Sequence, residues 1–233
     1  MIDVHAHVLP AIDDGAASVH DSIRMLSDSR QQGVSHVVAT PHCRPYTDSD
    51  ILSMVEKRKL SYSELVSAQS MAGYEMPELT LGFEVYLCTD VAKLAHARAL
   101  CIGATDAMLL EMPYARWTQY DIEAVYNLTV KGICPIIAHI ERYADLWGSC
   151  IQELLQLSCI YQVNADTLLT IRGRRLALSL IKHGYRVLVG SDMHNMDVRR
   201  SNMKKAYAVA NRKFGAQDAQ QLFLKEAAAI LGG

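Results

Sequence analysis

The chain begins Met1-Ile2-Asp3-Val4-His5-Ala6-His7, a short and mainly apolar stretch that carries two histidines at its end. Alternate residues of an extended strand point to the same side, so His5 and His7 would direct two imidazole rings into one space. A strand supported by a core would hold that pair rigidly enough to bind a metal ion. Because His-x-His triplets also arise by chance, the meaning of this pair depends on the rest of the chain.

The composition is typical of one globular domain. Half of the 233 residues are hydrophobic, which suits a single sizeable core. Charged residues make up 21% and the formal net charge is -2, so the charge favours neither nucleic acid nor an anionic membrane as a partner. No apolar run approaches the roughly 20 residues of a membrane-spanning helix, and no signal peptide is visible. Six cysteines without a Cys-x-x-Cys pair favour reduced thiols, and we expect a cytoplasmic protein without direct membrane insertion.

Short apolar runs alternate with helical patterns along the whole chain. The strands are predicted at the N-terminal stretch and at 34–40, 79–85, 107–111, 133–138, 159–164 and 186–190, and the helices at about 18–33, 50–72, 89–97, 118–131, 166–182, 203–214 and 216–231. This alternation implies a parallel sheet. About seven strand–helix units without a Gly-rich phosphate loop favour a closed or nearly closed barrel over an open nucleotide-binding sheet.

Side chains that bind metals fall at the carboxyl ends of these predicted strands, which converge on one face of a parallel barrel. They are His5, His7, His42, Glu84, Glu111, His139, Asp192 and His194, and the loop Asp13-Asp14-Gly15 reaches the same face. Each residue alone could be an ordinary polar group, and one of Asp13 and Asp14 is expected to cap a turn. Burying the whole set without cations would cost several kcal/mol per unpaired charge, so the set indicates a metal site.

The donors are imidazole and carboxylate, which favours Mn²⁺, Fe²⁺ or Zn²⁺ over a structural zinc site. About nine ligands are too many for one ion and suit two or three ions that share carboxylates. Other catalytic signatures are absent from the sequence. No cysteine has an arginine six residues later, and there is neither a Walker A motif nor a Gly-x-Ser-x-Gly motif.

Several of these motifs resemble a known signature. His5-Ala6-His7, Pro41-His42, Glu84, His139 and Ser191-Asp192-Met193-His194 look like that of the PHP (polymerase and histidinol phosphatase) superfamily. Asp13-Asp14-Gly15, His139-Ile140-Glu141-Arg142-Tyr143 and the segment 191–195 are similar to the bacterial CpsB/YwqE-type protein-tyrosine phosphatases of capsule and exopolysaccharide operons. The likeness spans nearly the whole chain. It implies an α/β fold, a distorted (β/α)₇ TIM-like barrel, as a single PHP-type phosphatase domain over residues 1–233.

The resemblance also implies a set of site residues. Three divalent ions are expected, with Mn²⁺ first and Fe²⁺ or Zn²⁺ as alternatives. The first ion would take His5, His7, Glu84 and Asp192, the second Glu84 (bridging), Glu111 and His139, and the third Asp14, His42 and His194. Arg142 and Arg199 would hold the phosphate, with Arg200 as an alternative to Arg199, and Asp14 and His42 are counted with these arginines as catalytic residues. Our hypothesis is direct attack on phosphorus by a metal-activated hydroxide.

The implied substrate is a tyrosine-phosphorylated protein, in particular the tail of an autophosphorylating kinase that controls capsular or exopolysaccharide synthesis. One alternative is a small-molecule phosphatase, for example for histidinol phosphate, and another is a non-catalytic PHP binding module. The loop motifs around Asp14 and Arg142 argue against the first alternative, and the complete ligand set argues against the second. The sequence leaves open the native metal, the substrate protein, the general acid and the oligomeric state. The tail at 223–230 lacks an Asn-Pro common in the family, which bears only on the C-terminal cap.

Overall fold

Parallel strands and helices alternate along the chain in the computed structural model, which describes residues 1–72, 75–143 and 150–232. The strands are β1 Ile2–Ala6, β2 His36–Ala39, β3 His42–Cys43, β4 Glu78–Leu81, β5 Glu84–Tyr86, β6 Ala107–Glu111, β7 Cys134–Ile137, β8 Ile160–Asn164 and β9 Arg186–Gly190. β2 continues into β3 and β4 into β5 after short interruptions. The nine segments of the described ranges therefore form the seven barrel strands that the sequence predicts.

The helices surround these strands. They are α1 Val19–Gln31, α2 Asp48–Ala72, α3 Gln119–Val130, α4 Cys150–Leu154, α5 Ala165–Leu169, α6 Ile171–Lys182, α7 Met203–Phe214, α8 Ala216–Gln220 and α9 Glu226–Leu231, with 3₁₀ turns at Val91–Lys93, Ala97–Leu100 and Ile140–Tyr143 and a π turn at Gln221–Lys225. Within the described ranges, no helix has both the length and the apolar character needed to span a membrane.

The strands close into a barrel. One sheet has the order β1-β2-β4 and the other has the order β3-β5-β6-β7-β8-β9, and every pair is parallel. The circle closes where the chain beyond β9 meets β1, because Ala6 pairs with Met193 and the backbone N–H of Asp192 donates to the carbonyl of His5 at 2.7 Å. The predicted barrel is confirmed.

Both interrupted strands have local causes. Pro41 lacks the N–H that a strand needs for its ladder, so β2 stops before it and β3 begins after it. Between β4 and β5, the carbonyl of Gly82 accepts a hydrogen bond from the Arg58 guanidinium of α2 at 2.9 Å, while the same guanidinium lies 4.1 Å from the centre of the Phe83 ring. Each interruption precedes a residue of the future site, since His42 opens β3 and Glu84 opens β5.

The prediction of one continuous helix at 166–182 is wrong, because the structure has two helices, α5 and α6, in this range. The chain leaves the helical conformation at Thr170 (φ -93°, ψ 156°), and the side chain of this residue caps α6 by accepting from the N–H of Gly173 at 3.0 Å. A threonine side chain can accept a hydrogen bond from a backbone N–H in the first turn of a helix, so threonine favours the start of a new helix over the interior of a continuous one. The predicted short helix at 89–97 is likewise replaced by two 3₁₀ turns.

The interior of the barrel is filled by alternate strand residues. Val4, Val38, Leu109, Ile136 and Leu188 belong to one buried cluster, which also includes Ala227 of α9. A larger cluster lies between the strands and the outer helices. The apolar filling leaves the carboxyl ends of the strands as the place where polar side chains gather.

Candidate metal centre

Glu84 lies at the centre of a group of imidazole rings. Its Oε2 is 3.2 Å from Nε2 of both His5 and His7 and 3.0 Å from Nδ1 of His42, and its Oε1 accepts a hydrogen bond from Nε2 of His139 at 2.7 Å. The carboxylate is 1% exposed, yet Oε2 has no hydrogen-bond partner. A buried oxygen that faces three ring nitrogens without a hydrogen bond is placed as a metal ligand would be.

A first donor set joins His5 and His7 to Glu84 and Asp192. Nε2 of His5 lies 3.2 Å from Nε2 of His7, and Oδ1 of Asp192 lies 3.5 Å and 3.7 Å from these two nitrogens. Four donors about 2.1 Å from one tetrahedral ion would be about 3.4 Å apart. The donor atoms of His5, His7 and Glu84 all lie within 4.8 Å of one another and fit a shared cation, and Asp192 lies beside both histidines.

A second donor set lies on the open side of the cluster. His7, Asp14, His42 and His194 each offer an atom within 4.8 Å of the others. Oδ1 of Asp14 is 3.2 Å from Nε2 of His42 and 3.5 Å from Nε2 of His194, and the latter nitrogen is buried without a hydrogen-bond partner. Burial, followed by the charges of His7 and Arg199, lowers the pKa of His194 to about 4. This ring is therefore neutral at pH 7, the form that binds metals.

A third donor set contains both glutamates. His42, Glu84 and Glu111 offer atoms within 4.8 Å of one another. Nε2 of His139 is 2.7 Å from Oε1 of Glu84 and 3.8 Å from Oε1 of Glu111. The other ring nitrogen of His139, Nδ1, is buried without a hydrogen-bond partner. The expected grouping of Glu84, Glu111 and His139 is thus brought together, with His42 as an additional neighbour.

Asp13 supports the cluster from outside. Its Oδ2 is 2.7 Å from Nδ1 of His7 and accepts from the backbone N–H of His42 at 3.0 Å, and its Oδ1 accepts from the N–H of Gly15 at 2.9 Å. Although burial opposes ionisation, the hydrogen bond from His7 lowers the pKa of Asp13 to about 2. Asp13 is therefore the turn-capping aspartate, and Asp14 is the aspartate that faces the donor rings.

A buried amide relay, which the sequence reasoning missed, links three strands of the site. Oε1 of Gln162 accepts from the backbone N–H of His139 at 2.6 Å and lies 3.1 Å from Nδ1 of His5. Its Nε2 donates to Oδ1 of Asn164 at 2.8 Å, and Nδ2 of Asn164 donates to Oδ2 of Asp192 at 2.9 Å. The sequence signal for this pair was the alternate placement of Gln162 and Asn164 near the end of β8, an otherwise apolar strand.

The backbone is strained at two donors. His139 has φ 30° and Asp192 has φ 53°, values that cost non-glycine residues about 1–3 kcal/mol. Next to Asp192, a Cβ on Gly190 would come within 2.6 Å of the His5 Cβ, so only glycine lets β9 approach β1 this closely. The fold holds these donors in positions that their local preferences would not give.

Two arginines flank the cluster. Nη2 of Arg142 makes a short ion pair with Oδ2 of Asp192, and Nη2 of Arg199 donates to Oδ1 of the same carboxylate at 3.0 Å. Nη1 of Arg199 is also 3.7 Å from Oδ2 of Asp14. Their side chains are about one-third exposed, at 35% and 36%, and both line a cleft of about 220 Å³. Arg200 lines the same cleft, but its Nη2 faces Asp28 at 3.6 Å.

The residues present fit divalent cations. The donor set is imidazole and carboxylate, its spacings match a shared ion, and buried donor atoms of Glu84 and His194 lack hydrogen-bond partners. The structure brings all nine sequence-predicted ligands to one face of the barrel.

A parallel barrel with such a donor cluster at its strand ends is typical of metal-dependent hydrolases. The family model for capsular polysaccharide synthesis, CpsB/CapC, matches residues 1–232, so the chain belongs to that family.

Relatives cover almost the whole chain. The tyrosine-protein phosphatase CpsB from Streptococcus agalactiae serotype III (strain NEM316) is 29% identical over 245 residues, which cover 99% of this chain and 98% of the relative. The tyrosine-protein phosphatase YwqE from Bacillus subtilis (strain 168) is 29% identical over 223 residues, which cover 93% and 86%.

Solved structures agree with this assignment. One matching structure comes from a study of YwqE of Bacillus subtilis and CpsB of Streptococcus pneumoniae, which are metal-dependent tyrosine phosphatases. It matches with a TM-score of 0.79 at 25% identity, over 94% of this chain and 90% of that one. A lactonase from Listeria monocytogenes matches with a TM-score of 0.59 at 13% identity, over 98% of this chain and 93% of that one, and shares the fold alone.

The amide relay generates a test. Gln162→Leu removes the acceptor that faces His5 and His139, and loss of such outer contacts typically lowers metal affinity 10–100-fold. We expect a loss in this range, measured by competition with a chelator and metal analysis of the protein. Gln152→Leu, on the exposed side of α4, is the matched control and should bind metal normally. Equal metal affinity in the two variants would remove Gln162 from the support of the site.

Proposed function

We propose that this protein is a metal-dependent phosphatase that removes phosphate from tyrosine side chains. The observation that supports this most strongly is the convergence of Arg142 and Arg199 on Asp192, at the edge of a buried cluster of metal donors. Cations and two guanidinium groups at one opening suit an anionic phosphoryl group. The CpsB and YwqE relatives are tyrosine-protein phosphatases, which agrees with this substrate class.

The proposal assigns three divalent ions, Mn²⁺ first and Fe²⁺ or Zn²⁺ as alternatives. Their ligands are His5, His7, Glu84 and Asp192 for the first, Glu84, Glu111 and His139 for the second, and Asp14, His42 and His194 for the third. When bound, such ions lower the pKa of water and neutralise phosphoryl charge. The donor spacings described above support sharing of Glu84 between neighbouring ions.

The remaining roles follow from exposure and charge. Arg142 and Arg199 are proposed to hold the phosphoryl oxygens, because each keeps part of its guanidinium open to the cleft. Asp14 and His42, with side chains 64% and 35% exposed, are the donors that a substrate can approach. Tyrosinate, whose conjugate acid has a pKa near about 10, is a tolerable leaving group without a protonated side chain beside it.

A thiolate nucleophile fits this chain poorly. Cys43 follows the donor His42, but burial raises the pKa of its thiol to about 12. Burial also raises the pKa of Cys101 to about 11 and that of Cys159 to about 12. These thiols stay protonated at neutral pH, and none of the six cysteines has the arginine spacing of a thiol phosphatase.

We further propose that residues 1–233 act as one PHP-type phosphatase domain in the cytoplasm. The proposed substrate is the tyrosine-phosphorylated tail of an autokinase that controls polysaccharide synthesis, in line with the capsular synthesis family to which the chain belongs. A histidinol-phosphate phosphatase and a non-catalytic PHP module are the competing functions.

Substrate ranking separates these functions. Purified protein with Mn²⁺, Fe²⁺ or Zn²⁺ should release phosphate from a tyrosine-phosphorylated peptide far faster than from histidinol phosphate. His5→Ala should abolish turnover and reduce bound metal, because it removes a central donor. The reverse substrate ranking would favour the small-molecule phosphatase, and no turnover with any of the three metals would favour the binding module.

The arginines generate a second prediction. Arg142→Ala and Arg199→Ala should each lower kcat/KM for a phosphotyrosine peptide at least tenfold, because a charged hydrogen bond contributes about 1.5–3 kcal/mol. Arg200→Ala is the matched control, since its guanidinium faces Asp28, and should stay within twofold of the unaltered protein. An unchanged kcat/KM in Arg142→Ala would exclude that residue from phosphate binding.

The thiols generate a third prediction. At pH 7.5 the Cys43 thiol, with a pKa of about 12, is almost wholly protonated, because raising the pKa of an acid favours its neutral form. Iodoacetamide should therefore leave activity intact at this pH, while protein unfolded in urea should be alkylated readily. Inactivation that parallels modification of the native protein would contradict direct hydrolysis.

A further inference from the structure

Tyr114 presents an exposed aromatic ring at the mouth of the metal centre. Its ring lies nearly parallel to that of His139, with centroids 6.2 Å apart and planes at 23°, and its centroid is 5.5 Å from that of Tyr143. The residue is nevertheless 51% exposed. One part of the ring is thus packed against site residues while the rest is open to solvent.

The support beneath this ring is rigid. Tyr143 is fully buried, its hydroxyl accepts from the backbone N–H of Met112 at 3.1 Å, and its ring lies 5.3 Å from that of Trp117. His139 is also fully buried. A ring that rests on two immobile rings can offer a preformed surface to a flat ligand.

The hydroxyl of Tyr114 ties this surface to the phosphate-binding group. It accepts a hydrogen bond from Nη1 of Arg142 at 3.3 Å, while Nη2 of the same guanidinium pairs with Asp192. The ring therefore lies directly beside a cation proposed to hold phosphate. Tyr120 and Tyr126 are similarly exposed, at 53% and 52%, but within the described ranges their side chains make no hydrogen bond or ring contact with the site.

We propose that Tyr114 selects aryl phosphates, by packing its open surface against the phenyl ring of phosphotyrosine while its hydroxyl keeps Arg142 directed at the phosphate. The inference rests on the proposed function and deepens it, because it names the residue that reads the aromatic part of the substrate. In phosphotyrosine the ring follows immediately after the phosphate ester oxygen, so a phosphate held by Arg142 places that ring next to Tyr114. An alkyl phosphate offers no such ring and gains nothing from this contact.

The test compares ligands that differ only in the group next to phosphorus. Binding of phenylphosphonate and of methylphosphonate to the Mn²⁺-loaded protein is measured by calorimetry, which requires no turnover. Tyr114→Ala should weaken methylphosphonate about two- to threefold, because Arg142 loses its hydroxyl partner, and should weaken phenylphosphonate about tenfold more than that, a difference of about 1.4 kcal/mol. Tyr114→Phe keeps the ring and should retain the preference for the phenyl ligand, while both ligands weaken about two- to threefold because Arg142 loses its partner. Tyr126→Ala is the matched control and should change neither affinity.

The outcomes separate this inference from the proposed function. If the unaltered protein hydrolyses phosphotyrosine and Tyr114→Ala keeps the same ratio of the two affinities, the role of Tyr114 is refuted while the function stands. Loss of both ligands to the same extent in Tyr114→Ala would also refute it, since that pattern reflects damage to the metal centre. If the unaltered protein binds neither phosphonate and releases no phosphate, both proposals fail.

Discussion

The burial of the Glu84 carboxylate among four imidazoles is the constraint on which the rest of the site depends. Burial alone would raise the pKa of Glu84, but neighbouring rings, His5 and His139 foremost, hold that pKa well below its ordinary value. A second buried carboxylate, Asp192, is balanced by Arg142 and Arg199. So many ionisable groups in a water-poor space are stable only with opposite charge among them, which is why the cluster fits divalent cations.

The donor cluster is held in place by residues that are not themselves proposed metal ligands. Asp13 orients His7, and the Gln162–Asn164 pair connects the histidine side of the site with Asp192. The pairing of β1 with β2 adds to this, because an extra residue between Asp3 and Ala6 forms a bulge beside His5. Bulges re-aim side chains next to active sites. The strained backbone at two donors persists because the closed barrel determines the position of every strand end.

Much of this architecture was predictable from local patterns. The bounds of β6 and β9 agree with the predicted runs, and Ser18 caps α1 as its position before an apolar stripe suggests. Apolar periodicity and capping chemistry depend on neighbours within one or two turns, so a single sequence carries them. The break at Thr170 was missed because the residues on both sides of it are compatible with one helix, whereas Thr170 is the N-cap of a second helix. The predicted second strand ends before Pro41, as β2 does, but its continuation at His42–Cys43 was not predicted. The interruption at Gly82 was missed because it lies inside an otherwise continuous apolar run.

The sequence by itself determined which donor types follow each strand, and hence that imidazoles and carboxylates would meet at one face of a parallel barrel. The residue pattern alone left open which of two adjacent residues faces the site, and the tertiary structure distinguishes them. Asp14 faces the rings while Asp13 supports them, and Arg199 faces Asp192 while Arg200 turns to Asp28. Adjacent residues share their local pattern, so contacts between distant loops must distinguish them. The place of Tyr114 beside Arg142 likewise depends on two loops that meet only in the folded barrel.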